Sequence, residues 1–155
     1  MTGAAQDRPK EDTSNLTPVE RIRYHLKTYR ENPDRGHDWN DYDGPPRTAL
    51  LLTTVGRKSG KIRTLPLLYR KAGDRYVIIA SKGGADENPG WFVNLRAADE
   101  AEIQVRHDKF KIKSRVAEGV EREELWKEMT AMHPDYDEYQ TRTTRVLPVV
   151  VLERF

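Results

Sequence analysis

A cluster of positive charge lies in one short, glycine-containing segment of the sequence, residues 56–63. Its glycine and polar residues are Gly56, Arg57, Lys58, Ser59, Gly60, Lys61 and Arg63. Glycines let the backbone turn tightly and present its N–H groups, while the cations supply charge and forked hydrogen-bond donors. The segment therefore suits a phosphate or a carboxylate. The alternative is a solvated hairpin tip without a ligand.

A second basic turn with glycines, residues 81–84, follows a short distance along the chain. Two such turns suggest one anionic ligand that both of them contact. Trp91 and Phe92 come next, and each ring either covers a flat ligand or belongs to the core. Asn94 is interpreted either as a ligand contact or as a capping residue.

The third candidate segment, residues 133–139, contains His133, Tyr136 and Tyr139. If the segment is helical, two tyrosines three positions apart share a face and can direct their hydroxyls into a pocket. The alternative is that they pack against the core with exposed hydroxyls. His133 precedes a proline and is either a surface residue or a base.

Several other chemistries are excluded by residue types and spacings. The chain has no cysteine, which removes disulfides, thiolate nucleophiles and cysteine-bound metals. Its four histidines are scattered, without a spacing such as H-E-x-x-H, so no metal site is expected. Residues 56–61 lack the spacing and the following Ser or Thr of a nucleotide P-loop. Because the formal net charge is only +2, attraction for anions has to come from local clusters.

The elements that position these segments begin after residue 15. Residues 1–15 are polar without apolar periodicity and are predicted to be a disordered tail, and residues 16–155 are predicted to form a single domain. Thr17 predicts a helix N-cap, with Pro18 at the first helical position. This basic amphipathic helix covers residues 16–30, with apolar positions at Val19, Ile22, Leu26 and Tyr29. Residues 32–47 are predicted to be a loop because of their prolines and glycines.

Six apolar or alternating segments predict β-strands: residues 48–55, 62–71, 75–81, 101–105, 110–116 and 146–152. The third contains a continuous apolar run, YVIIA, which indicates burial on both faces. Helices are predicted at residues 91–97 and 121–132. Consecutive strands without long helical crossovers indicate a mainly antiparallel α+β fold, closed or split as a barrel.

The sequence also bears on location. No apolar run approaches the roughly 20 residues of a membrane-spanning helix, and the N terminus lacks the apolar core of a signal peptide. A cytoplasmic protein is therefore expected. The basic helix at residues 16–30 either rests on a membrane surface, closes over the site or packs on the barrel.

Three stretches, taken in order, resemble one known family. They read LLLTTVGRKSGKIRTLPL, IIASKGGADENPGWFVNL and HPDYDEYQTRTTRVLPVV. In combination they are similar to the actinobacterial deazaflavin-dependent nitroreductases and their quinone reductase relatives, from about residue 50 to the C terminus. The resemblance implies a split β-barrel of the flavin-reductase or pyridoxamine-oxidase type. It also implies that the barrel binds coenzyme F420, which has a phosphate and an oligoglutamate tail.

The same resemblance assigns residues to the cofactor. The positions that hold the phosphate and the tail correspond to Arg57, Lys58, Ser59, Gly60 and Arg63. The segment along the deazaflavin ring corresponds to Ser81, Lys82, Gly83 and Ala85, with Asn88, Trp91 and Asn94 close by.

On the substrate side the resemblance implies hydride transfer from reduced F420 to a menaquinone-like quinone or to a nitroaromatic compound. Relatives that activate nitroimidazole prodrugs have three tyrosines spaced three apart, whereas this chain has His133, Tyr136 and Tyr139 at the equivalent positions. Tyr136, Tyr139 or Ser81 can hydrogen-bond the developing oxyanion, and His133 can relay a proton. The sequence leaves the proton donor open.

Two other functions compete with this interpretation. An FMN-dependent oxidoreductase of the same barrel type also needs phosphate donors, although the surplus of cations favours the longer anionic tail of F420. A nucleic-acid-binding barrel could use basic loops and tyrosines as a stacking platform. The near-zero net charge argues against a nucleic-acid partner.

Overall fold

The computed structural model describes residues 16–39 and 46–155. Within these ranges the chain forms five α-helices: α1 Pro18–Glu31, α2 Pro33–His37, α3 Gly90–Ala97, α4 Gly119–Met132 and α5 Asp135–Thr141. The strands of the same ranges are β1 Ala49–Val55, β2 Ile62–Leu68, β3 Arg70–Ala72, β4 Arg75–Ile79, β5 Glu100–Val105, β6 Asp108–Val116 and β7 Val149–Arg154. The predicted α+β class is confirmed. The predicted tail, residues 1–15, lies outside the described residues.

All strands belong to one antiparallel sheet with the order β2-β1-β5-β6-β7-β4-β3. Strands β2 and β3 lie at opposite ends of this order, although only Tyr69 separates them in the chain. The sheet therefore curls until its two edges meet at Tyr69, as a half-barrel.

The sequence predicts six strands, whereas the described residues form seven. The second predicted strand, residues 62–71, is divided at Tyr69 into β2 and β3. Tyr69 is held there because its N–H donates to Thr48 O at 3.0 Å and its carbonyl accepts from Thr48 Oγ1 at 2.6 Å. The chain passes from one sheet edge to the other at this residue, which a one-dimensional apolar pattern does not reveal.

Strand β4 separates two cores and confirms the predicted burial on both faces. Tyr76 and Ile78 point into the barrel, where they pack with Phe92 and Phe110. The alternate residues of β4 instead pack under α4 and α5, in the cluster of Val77, Ile79, Leu125, Met129 and Tyr136. The second core therefore fixes α5, with its tyrosines, against the sheet.

Helix α1 begins as the sequence predicts. Thr17 Oγ1 accepts from the Glu20 N–H at 3.2 Å, and the Thr17 N–H donates to Glu20 Oε1 at 2.9 Å, which completes a capping box. Pro18 occupies the first helical position. No helix in the described ranges has both the length and the apolar character of a membrane span.

The predicted apolar face of α1 is only half buried. Val19 and Ile22 remain 57% and 44% exposed, whereas Tyr29 is completely buried. The buried face also includes two polar residues, His25 and Thr28. Burial is confined to the C-terminal half of the helix because Tyr29 anchors it there, with its hydroxyl donating to Ala49 O at 3.0 Å.

Residues 33–37 form helix α2 instead of the predicted loop. Asn32 both stops α1 and starts α2, since its side chain accepts from the Arg35 N–H at 3.2 Å. This short helix packs Gly36 against Tyr29, where a Cβ on Gly36 would lie 2.3 Å from Tyr29 Cα. Only a residue without a side chain permits this approach.

Gly36→Ala is expected to destabilise the fold by about 1–3 kcal/mol, because the added methyl overlaps backbone that cannot move aside without displacing α1. Urea denaturation measures the change in the free energy of unfolding. Gly90→Ala is the matched control, since nothing lies within 4 Å of a Cβ there. Equal stability of the two variants would contradict the packing described for Gly36.

Candidate functional site

A pocket of about 840 Å³ brings the three candidate segments together on one side of the half-barrel. Of the residues that the sequence proposes for a site, those that line the pocket are Arg57, Lys58, Ser59, Arg63, Ser81, Lys82, Gly83, Trp91, Asn94, His133, Tyr136 and Tyr139. Gly60, Ala85 and Asn88 are not among its lining residues. Residues far apart in the sequence thus face one common space.

One part of the pocket is strongly cationic. Arg57 and Lys58 reach it from the turn between β1 and β2, and Arg63 from the start of β2, while Lys82 lines the pocket from the turn after β4. The lining residues in the described ranges include no aspartate or glutamate. Lys82 is paired with Glu87 at 3.3 Å, while the side chains of the other three carry the charge into solvent. This arrangement favours an anion.

The buried side chain of Asn94, on α3, holds the start of the basic turn. Its Nδ2 donates to Thr54 Oγ1 at 3.1 Å, and its Oδ1 accepts from the Arg57 N–H at 3.2 Å. Both ends of the amide are therefore engaged in positioning the turn. Ser59 Oγ likewise accepts from the Lys61 N–H at 3.1 Å, within the turn.

Strand β2 forms one wall of the pocket from end to end. Its residues from Arg63 to Leu68 all line the pocket, and most of them are apolar. Five steps along a strand span about 17 Å. Arg63 lies next to the basic turn, and Leu68 packs against the cluster that contains Tyr136. The pocket is therefore an elongated groove with a cationic end and an aromatic end.

The backbone after β4 enters the groove in an unusual conformation. Lys82, Gly83 and Gly84 have φ angles of 47°, 63° and 85° in succession. Ser81 and Gly83 line the groove, and a Cβ on Gly83 would meet nothing within 4 Å. An open glycine surface of this kind permits a flat ring to approach the backbone closely.

Helix α3 contributes an aromatic side to the groove. Trp91 and Phe92 are 7% and 8% exposed, and their ring centroids are 6.2 Å apart in an edge-to-face arrangement. Both rings belong to the core cluster inside the half-barrel, and Trp91 also lines the groove. The core interpretation therefore holds for both residues, and only Trp91 is in addition placed to cover a ligand.

The aromatic end of the groove is built by α5, because Tyr136 and Tyr139 lie on one face of this helix. The His133 ring lies edge-on to Tyr136 at 4.8 Å between centroids, and 6.0 Å from Tyr139. Tyr136 and His133 are buried, and Tyr139 is partly buried. His133 is thus part of the pocket and not the surface residue of the alternative interpretation.

Burial sets the protonation of these groups. Tyrosine hydroxyls are protonated at neutral pH, and burial raises the pKa of Tyr136 and of Tyr139 further above the usual range. Burial also lowers the pKa of His133, and the positive charge of Arg47 lowers it further. Arg47 Nη1 donates to His133 Nδ1 at 3.4 Å, which places the proton of the neutral ring on Nε2. This end of the groove therefore offers neutral hydrogen-bond donors.

Comparison with known proteins supplies the family of this chain. The family model described as F420H(2)-dependent quinone reductase matches residues 21–154. The chain belongs to this family. A protein of Mycobacterium tuberculosis (strain ATCC 25618 / H37Rv) named F420H(2)-dependent quinone reductase is 38% identical over 140 residues, which are 88% of this chain and 91% of that protein.

Two solved structures are also similar to this member of the quinone reductase family. One is described as an F420-H2 dependent reductase and shares 39% identity, with a TM-score of 0.63 over 68% of this chain and 93% of the other. The second, described as a domain-swapped dimer, shares 33% identity, with a TM-score of 0.64 over 88% of this chain and all of the other. The likeness therefore extends to both sequence and fold.

Two groove features of this F420H(2)-dependent quinone reductase family member are absent from the sequence-based prediction. Ile22 on α1 lines the groove; the sequence offered closure over the site as one of three roles for this helix but did not name Ile22 as a site residue. Arg145 donates to Ser81 O at 2.8 Å and to Asn88 Oδ1 at 3.0 Å. Its only signal in the sequence is its membership of the third motif, QTRTTRV.

Proposed function

We propose that this protein transfers a hydride from reduced coenzyme F420 to a quinone of the menaquinone type. The observation that carries the proposal is the polarity of the groove. One end has the cationic side chains of Arg57, Lys58 and Arg63, with no carboxylate among the described lining residues, and the other end presents neutral hydroxyl donors beside an apolar wall. A cofactor with an anionic tail and a flat apolar acceptor fit these two ends.

The residues at the cationic end fit the anionic part of F420. Arg57, Lys58 and Arg63 would hold the phosphate and the oligoglutamate tail, with Ser59 and Gly60 shaping the turn. Each charge-assisted contact contributes about 1.5–3 kcal/mol. Asn94 would act indirectly, because its amide already holds Thr54 and Arg57.

The residues after β4 fit the ring of the cofactor. Ser81 and Gly83 would lie along the deazaflavin, with Trp91 closing the groove from α3. Ala85 and Asn88 would support the turn from behind, since both accept hydrogen bonds from Arg145. We further propose that the curled sheet is a split barrel of the flavin-reductase type.

When bound, reduced F420 supplies a hydride, and a quinone that accepts it becomes a hydroquinone anion that needs one proton. Tyr136 and Tyr139 would donate hydrogen bonds to this developing oxyanion, because both residues line the groove and their hydroxyls are protonated at neutral pH. His133 carries its proton on Nε2 and would donate a further hydrogen bond from that atom, while the proton that the anion finally takes up would come from solvent. The apolar wall of β2 would exclude water around the reacting atoms.

FMN gains no support as an alternative cofactor. The family model and the M. tuberculosis relative are both named for F420. Titrating the protein with F420 and, separately, with FMN, followed by desalting and absorbance, tests the assignment. The proposal expects F420 to be retained and FMN to be lost. Retention of FMN alone would overturn it.

Nitroaromatic compounds are proposed as a second substrate class. They are flat and electron-poor like quinones, and they suit the same apolar wall. His133 stands where relatives that activate nitroimidazole prodrugs have a first tyrosine, so one hydroxyl donor is missing. We therefore propose that quinones are reduced faster than nitroimidazoles. The rates of quinone reduction and of nitroimidazole reduction, measured with the same batch of protein, test this order.

Helix α1 is proposed to contact a membrane surface beside the groove. Its exposed Val19 and Ile22 lie among cations, and Ile22 also lines the groove. The double change Val19→Ser with Ile22→Ser is expected to lower co-sedimentation with anionic vesicles at least about threefold, because the apolar contact is removed. Val120→Ser, at an exposed valine of α4, is the control. Equal sedimentation of wild type and the double variant would reject the membrane contact and leave packing beside the groove.

A further inference from the structure

The turn at residues 81–84 requires support from the rest of the protein. Lys82 has a φ of 47°, in the left-handed region that a residue with a side chain rarely adopts. Gly83 and Gly84 continue in the same region. Within the turn, the Gly84 N–H donates to Ser81 O at 2.9 Å and the Ala85 N–H donates to Lys82 O at 3.1 Å. These two bonds shape the turn, whereas contacts with the rest of the protein decide where Ser81 and Gly83 meet the groove.

The guanidinium of Arg145 supplies most of this support. It donates four hydrogen bonds to oxygens of the turn and its flanks: from Nε to Ala85 O at 2.7 Å, from Nη2 to Ser81 O at 2.8 Å, and from Nη1 to Asn88 Oδ1 at 3.0 Å and Ala80 O at 3.2 Å. All four acceptors are uncharged. The planar fork of arginine reaches several directions at once, which a lysine ammonium on a single stem does not.

Arg145 is itself fixed by the helix that carries the tyrosines. Gln140 on α5 donates from Nε2 to Arg145 O at 2.7 Å and accepts from the Leu147 N–H at 3.0 Å. The backbone of Arg145 is therefore tied to α5, while its guanidinium is tied to the turn.

A second contact joins α5 to the turn directly. A Cβ on Gly84 would lie 2.5 Å from Tyr139 O, so the turn touches the backbone of α5 at a residue that has no side chain. Arg142, after α5, also donates from Nη1 to Gly83 O at 3.2 Å. The turn at residues 81–84 and helix α5 thus contact each other and form one connected unit.

We propose that Arg145 is a positioning residue that fixes the spacing between the turn and α5. The inference rests on the proposed function, in which the turn lies along the cofactor ring and the tyrosines of α5 face the substrate. Arg145 touches neither of them and acts through Ser81 and its neighbours. Because hydride transfer depends steeply on the placement of the two reacting groups, this spacing sets the rate of the reaction more than the affinity for the cofactor.

Arg145→Lys is the informative variant, because it keeps the positive charge and removes the fork. Arg142→Ala is a milder second variant that removes the contact with Gly83 O, should Arg145→Lys fail to fold. Arg70→Lys is the matched control, at an exposed arginine on β3 that does not line the groove.

Two readouts are required. Hydrogen–deuterium exchange of the cofactor-free protein follows the backbone of residues 80–88, and single-turnover oxidation of bound reduced F420 by menadione follows the reaction. We expect Arg145→Lys to exchange at least about tenfold faster in residues 80–88. We also expect transfer at saturating cofactor and quinone to slow by about 10–100-fold, with F420 affinity changed by less than about threefold.

Arg142→Ala is expected to change both readouts in the same direction by a smaller factor, and Arg70→Lys to change neither. Unchanged exchange in residues 80–88 of the folded Arg145→Lys protein overturns the proposal, as does faster exchange with a wild-type transfer rate. If wild-type protein itself does not oxidise reduced F420, the proposed function has failed, and the exchange measurement then decides the proposed support of the turn by itself.

Discussion

Replacing Arg57 and Lys58 together with alanine is expected to lower the affinity for F420 at least about tenfold. Both side chains line the cationic end of the groove, where each charge-assisted contact with a phosphate or carboxylate contributes about 1.5–3 kcal/mol. Because both residues are exposed, solvent screens part of this contribution, and added salt is expected to weaken wild-type binding as well. An equilibrium titration with F420 measures the effect.

The matched control removes two positive charges at positions that do not line the groove. Lys109 and Lys111 are exposed on β6 and do not line the groove, so their double alanine variant is expected to bind F420 within about twofold of wild type. If the two double variants lose affinity equally, the effect comes from net charge, and the assignment of the basic turn to the cofactor tail is wrong. Wild-type affinity in the Arg57 and Lys58 variant contradicts it outright.

Tyr136→Phe is expected to lower turnover of a menaquinone analogue by about 10–100-fold, because it removes the hydroxyl that we propose as a donor to the oxyanion. Tyr136 is buried but lines the groove. Cofactor affinity and the melting temperature are expected to remain nearly unchanged. Steady-state kinetics and a melting curve on the one variant measure both quantities.

Tyr69→Phe is the matched control and has the opposite expected signature. The Tyr69 hydroxyl lies 2.6 Å from His37 Nε2, and the residue is buried away from the groove. Its loss leaves His37 without this partner and is expected to cost about 1–3 kcal/mol of stability, with little change in rate per folded molecule. A stable, fully active Tyr136→Phe protein would show that Tyr136 has no part in the reaction.

Local patterns predicted the elements of the fold well. Thr17 and Pro18 marked the start of α1, the helix predicted at residues 91–97 is α3, and the continuous apolar run of β4 indicated its burial on both faces. Each of these features depends on neighbours in the sequence. The three candidate segments could be named for the same reason, since each carries its chemistry within a few residues.

Features that depend on distant contacts were not predicted. The division of the second strand at Tyr69 follows from the curling of the whole sheet, and the exposure of Val19 and Ile22 follows from the anchoring of α1 at Tyr29. The helix at residues 33–37 depends on one side-chain cap, from Asn32, in a segment whose prolines and glycines indicate a loop.

The candidate site shows the same division. Its basic and aromatic residues are visible in the sequence because charge and ring systems are properties of single residues. The positioning roles are not: Asn94 was named only as a ligand contact or a capping residue, and Arg145 was not named, because their partners, the Arg57 N–H and Ser81 O, come within reach only on folding. A sequence pattern therefore identifies the residues that contact a ligand more readily than the residues that position those contacts.

The most direct test of the proposed function is one anaerobic single-turnover experiment. Stoichiometric reduced F420 is mixed with the protein and then with menadione, and the return of the oxidised F420 absorbance is followed against a mixture without protein. The account predicts one equivalent of F420 oxidised per equivalent of quinone, with a slower rate when the transferred hydrogen is deuterium. A rate no faster than in the protein-free mixture would contradict it.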